Sequence, residues 1–170
     1  MWIQRRARSE KRPDRVQDEN QRAVDLAYRA LGRRERTVAE LRTYLEGKKV
    51  EPEAIEHAVR ELEAAGFLDD RRFAEHFTDD KRTLERWGSE RIERDLRRRG
   101  VADGIVESVL GARQRSDELA TALAILAERM PVPPADDRAR DRAWRLLVRK
   151  GYEPELAYEA VRAHGARDAA

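Results

Sequence analysis

Shifted by 51 residues and laid on itself, the chain superposes in three copies without a gap. Leu45, Leu96 and Leu147 share one column, Lys49, Gly100 and Gly151 another, and Val50, Val101 and Tyr152 a third. The same shift sets Leu41 on Ile92 and Ala143, Ile55 on Val106 and Ala157, and Val59 on Leu110 and Val161. A helical unit of this size cannot bury its apolar face alone and gains by stacking on copies of itself. The period therefore predicts a modular array rather than one globule around a cleft, and it turns the functional question toward binding.

Apolar material is thin for a deep single core: 40% of the 170 residues are hydrophobic, 6% are aromatic and 41% are charged. Such composition borders on the disordered class. A net charge of only +2 and apolar positions at helical spacing predict instead a folded, all-α chain. With 36 basic residues against 34 acidic ones, bulk charge does not mark a nucleic-acid binder, so local patches must carry any such role. The absence of cysteine excludes disulfides, thiolate metal sites and cysteine nucleophiles. Met1-Trp2-Ile3-Gln4-Arg5-Arg6 leads into charged residues rather than an apolar run. Neither a signal peptide nor a membrane span is expected, and the cytoplasm is the expected location.

Residues 1–20 mix both charges around Pro13 without periodicity and read as a flexible arm. Three three-helix repeats follow, over 21–68, 69–112 and 113–165, with 166–170 as a tail. Ala23, Leu26, Ala27 and Ala30 mark the first helical face. Thr37-Val38-Ala39-Glu40 is a capping box, in which the Thr37 hydroxyl accepts from the Glu40 N–H and the Glu40 carboxylate reaches back to the N–H of Thr37. Pro52 and Pro154 sit at first helical positions, inside Glu-Pro-Glu triplets that suit a positive helix end. Gly66 stops a helix, Phe67 and Leu68 fold back on the core, and Asp69 or Asp70 caps the next helix. Phe73 and Phe77 form the stripe of that helix, and Gly88-Ser89 restart the chain. Residues 101–110 make the following helix, and Leu119, Leu123 and Leu126 the face of the one after.

Gly66-Phe67-Leu68-Asp69-Asp70-Arg71-Arg72-Phe73-Ala74, with Arg82 downstream, resembles the signature of the RecX family of regulatory proteins. So do Gly88-Ser89-Glu90-Arg91-Ile92-Glu93-Arg94-Asp95-Leu96, ending at Gly100, and Arg36-Thr37-Val38-Ala39-Glu40-Leu41, where Thr37 stands for the family's serine. The likeness spans roughly residues 22–163; the charged arm and Ala143-Trp144 in the third repeat depart from it. The resemblance implies an elongated, curved array that is not an enzyme and needs no cofactor. It implies a monomer that binds RecA and its filament on single-stranded DNA and opposes recombinase activity in repair, recombination and the SOS response. Weak direct DNA contact is a further expectation.

Arg91, Arg94 and Arg98 project opposite Ile92 and Leu96, and with Arg82 and Arg86 they are the candidate partner contacts. The plainer alternative is a solvated face stitched by Glu90–Arg94, Glu93–Arg97 and Asp95–Arg99 pairs. Asp69-Asp70 and Asp136-Asp137 read as helix caps, and His57, His76 and His164 lack metal-ligand spacing. Trp87 reads as packing at a helix junction; Trp2 and Trp144 are the other indoles available for stacking on bases. A direct DNA-binding module resembling helix-turn-helix elements, or a helical-repeat adaptor, are the rival functions.

Overall fold

The computed structural model describes residues 13–166; expectations for 1–12, Trp2 included, and for 167–170 lie outside the described residues. Nine helices and no strand occur among them: α1 Pro13–Leu31, α2 Val38–Gly47, α3 Pro52–Ala64, α4 Asp70–Thr83, α5 Ser89–Arg98, α6 Asp103–Gly111, α7 Arg115–Arg129, α8 Asp137–Lys150 and α9 Pro154–Ala166. They form three three-helix repeats, but the chain divides into two compact units, between Asp69 and Asp70. The first repeat is one unit, and the second and third repeats together make the other.

The repeated apolar columns build the core. Leu41, Ile92 and Ala143, and Leu45, Leu96 and Leu147, are fully buried, and Ile55, Val106 and Ala157 sit beneath them. In the first unit α1 and α2 both pack on α3, closing Ala23, Val24, Ala27 and Leu62 around Leu41 and Leu45. In the second, Phe73, Trp87 and Val101 surround Ile92 and Leu96, while Tyr152, Leu156 and Val161 surround Ala143 and Leu147.

The middle helix of every repeat ends in the same way. The N–H groups of Val50, Val101 and Tyr152 donate to the carbonyls of Leu45, Leu96 and Leu147 at 3.1–3.2 Å. The residue before each turns left-handed: Lys49 at φ 58°, Gly100 at 81° and Gly151 at 90°. This is a Schellman stop, whose second apolar residue folds back on the helix. A side chain at such a φ is strained, so only the first repeat carries a cost there. Lys49→Gly is expected to stabilise the first unit by ~0.5–1 kcal/mol, the strain relief outweighing the added freedom of the unfolded chain. A urea midpoint that stays put or falls counts against this reading.

Thr37 Oγ1 accepts from the Glu40 N–H at 3.1 Å, as expected, while the Glu40 carboxylate also meets Arg34 at 3.0 Å. Other expectations need correction. α1 begins at Pro13, eight residues inside the expected arm; residues 14–18 are exposed, so this stretch is helical without an apolar stripe to announce it. Phe67 does not fold onto the core. It is 58% exposed and meets the Tyr28 ring edge-on at 5.2 Å, while Leu68 alone turns inward. α6 starts at Asp103, because Val101 is spent on the Schellman contact. The buried face of α7 is Ala122, Ile125 and Leu126, with Leu119 and Leu123 at its edge. α9 runs on to Ala166, past both 163 and the expected tail boundary.

Candidate interaction surface

Gly88 has no side chain with which to cap α5, so more distant groups do it. Its N–H donates to the Lys150 carbonyl at 2.9 Å, and the Glu90 N–H donates to the Gly151 carbonyl at 3.1 Å. The unpaired donors at the start of α5 thus satisfy the unpaired acceptors at the end of α8. From α7 the Glu118 carboxylate accepts from both the N–H and the hydroxyl of Ser89, at 2.7 and 3.0 Å, a negative charge at a positive helix end. Tyr152 donates its hydroxyl to the Arg86 carbonyl at 3.1 Å, and burial pushes its pKa up to about 12, so it stays a phenol. These bonds bind the second and third repeats into one body.

That body distributes the five candidate arginines unequally. Arg82 is half-buried and reaches the Leu110 carbonyl at 3.4 Å; burial, then the nearby Arg113, hold its pKa below the usual guanidinium range. Arg86, at φ 52°, pairs with Glu128 at 2.7 Å. Arg91 lies over the Trp87 ring at 3.8 Å and donates to the Arg149 carbonyl at 3.4 Å. Arg98 pairs with Asp95 at 3.1 Å, three residues back. Arg94 is exposed, and its side chain makes no hydrogen bond or ion pair among the described residues. The five do not form one patch: Arg94 and Arg98 face outward, and the other three are engaged in the fold.

Two cations outside that group of five join Arg86. Lys150 donates to the Glu85 carbonyl at 2.9 Å, and Arg129 lies with it beside a cleft of about 100 Å³. Burial, followed by repulsion from Arg129, Arg86 and Arg91, lowers the Lys150 pKa. These residues come from the loop before α5 and from the ends of α7 and α8, far apart in sequence, and the folded second unit gathers them.

Trp87 is buried, and Trp144 is pinned by its indole N–H donating to the Pro154 carbonyl at 3.1 Å. Asp136 caps α8, accepting from the Ala139 N–H at 2.6 Å, and the buried His164 has its Nε2 2.8 Å from the Met130 carbonyl. No group of three His, Asp or Glu gathers among the described residues in a way that could hold a metal. No described helix is long and apolar enough to cross a membrane.

The family model for the RecX first three-helix domain matches residues 23–62, and that for the second three-helix domain matches 69–110. The regulatory protein RecX of Halorhodospira halophila is 37% identical over 141 residues, covering 82% of this chain and 86% of that protein. The regulatory protein RecX of Deinococcus radiodurans is 31% identical over 152 residues, covering 89% and 72%. Among solved structures, the crystal structure of RecX from Lactobacillus salivarius superposes with a TM-score of 0.77 at 18% identity, over 87% of this chain and 97% of that one. That likeness concerns the fold.

Proposed function

The chain belongs to the RecX family, and from that premise we propose that it is a regulatory protein without catalytic activity that binds RecA and its filament on single-stranded DNA. Its effect is to restrain the recombinase in repair and recombination. The observation that carries this reading is the ordered pair of RecX domains along one chain, 23–62 and 69–110. A repeat array suits the task, because it offers a helical polymer several contact surfaces in series. Arg94 and Arg98 supply the acidic partner's contact on α5: both are exposed, and Arg94 has no ion pair of its own among the described residues.

Titrating the protein into RecA hydrolysing ATP on single-stranded DNA is expected to suppress hydrolysis. Unchanged hydrolysis, together with no RecA retained by the immobilised protein, refutes the proposal. Arg94→Glu/Arg98→Glu is expected to weaken suppression more than the alanine pair, since reversal replaces attraction with repulsion. Both side chains point away from Ile92 and Leu96, so the fold should persist, as circular dichroism checks. A folded double variant that suppresses like wild type at low and moderate salt returns these arginines to a solvated face.

A further inference from the structure

α8 lies outside both matched domains and carries six cations against two carboxylates, a surplus of four; none of the other eight described helices exceeds a surplus of one. The surplus is ordered. Arg138, Arg142, Arg145 and Arg149 fall at i, i+4, i+7 and i+11, which places them on one stripe about 16 Å long. All four are exposed, while Ala139, Ala143 and Leu147 take the side turned to the core. Only Arg145 has a partner, Asp141 at 3.0 Å; Arg138, Arg142 and Arg149 make no side-chain hydrogen bond or ion pair among the described residues.

Such a stripe works against the helix that carries it. Its neighbours repel at each three- or four-residue step, and Arg138 sits in the first turn, where the helix end is already positive. An external polyanion relieves both. We infer that the α8 stripe is a sequence-independent docking surface for a nucleic-acid phosphate backbone. Charge complementarity fits an acidic protein as well, but protein interfaces are anchored by buried aromatic or aliphatic side chains. None of the exposed large hydrophobic residues, Val16, Tyr28, Phe67, Leu84, Val132 and Tyr158, lies on α8. A row of cations at roughly 5 Å intervals needs no such anchor to neutralise successive phosphates. At its far end the stripe meets α5, where Arg91 donates to the Arg149 carbonyl and Arg94 stands one turn further on.

The test is anisotropy of labelled oligodeoxythymidine with the full chain and no recombinase, over a salt series. A duplex of equal length distinguishes single from double strands as the preferred source of phosphate. Arg138→Gln/Arg142→Gln/Arg149→Gln is expected to weaken binding and to reduce the log–log salt slope on single strands by ~2, at ~0.7 per lost contact. The corresponding lysine triple should keep most of the slope. If the glutamine triple unfolds by circular dichroism, Arg142→Gln alone should still reduce the slope by ~0.7. Wild-type affinity and slope in a folded glutamine variant overturn the inference, as does binding to labelled poly-glutamate with none to either oligonucleotide. Because RecA is absent, failure here leaves the regulatory proposal standing, and failure of the ATPase test leaves this one standing.

Discussion

Gly88→Ala is expected to destabilise the second compact unit by ~3–5 kcal/mol, at or above the upper end of ordinary overpacking. A Cβ at residue 88 would overlap the Gly151 carbonyl group and the Tyr152 nitrogen. These are backbone atoms, so no side chain can swing aside. The two helix ends would separate, breaking the Gly88–Lys150 and Glu90–Gly151 bonds and leaving their groups unpaired. Gly151→Ala meets the same crossing from the other side, with its Cβ 2.6 Å from the Arg91 nitrogen and a φ of 90° that alanine resists. Gly111→Ala, with nothing within 4 Å of its Cβ, is the control and should be neutral or stabilising. Urea melts of the three variants decide it: a Gly88→Ala midpoint near that of Gly111→Ala would show that the two helix ends do not cross so closely.

Leu96→Ala should cost ~2–5 kcal/mol, the transfer term plus the cavity left in a site that cannot collapse. Leu96 is fully buried among Phe73, Trp87, Ile92 and Val106, and its carbonyl accepts the Schellman bond from Val101. Against a total stability of typically ~5–15 kcal/mol, the loss should be plain in the melting temperature. Arg94→Ala, on the exposed side of the same helix, should change it little. Equal shifts for the two variants would mean that the repeated leucine column is not the core.

Features whose causes lie within about five residues are legible in the amino-acid order alone. The Thr37 cap, the Asp136 cap, Pro52 and Pro154 at helix starts and the stops at Gly66, Gly100 and Gly151 each follow from neighbouring backbone geometry. Lys49 is the instructive member of its column: it adopts the left-handed turn although its residue type does not favour it, and only the repeat register shows this. The α8 stripe belongs with these features, since its spacing is plain once the helix is fixed, although near-zero net charge hides it.

By itself the sequence determined the helical class, the threefold repeat, the buried columns and the family. Local dihedral preference and apolar periodicity act within a turn or two, and the copies reinforce one another. Tertiary structure alone decided which repeats fuse and which arginines stay free. Gly88 and Gly151 lie 63 positions apart, Ser89 and Glu118 29, and Arg86 and Glu128 42. No local rule links such residues, because close backbone approach and charge pairing across helices depend on where packing brings two elements together. The same cause left Phe67 on the surface beside Tyr28 and drew Arg82 inward: residue type states a preference for burial, and packing of the neighbouring helices settles which positions are covered.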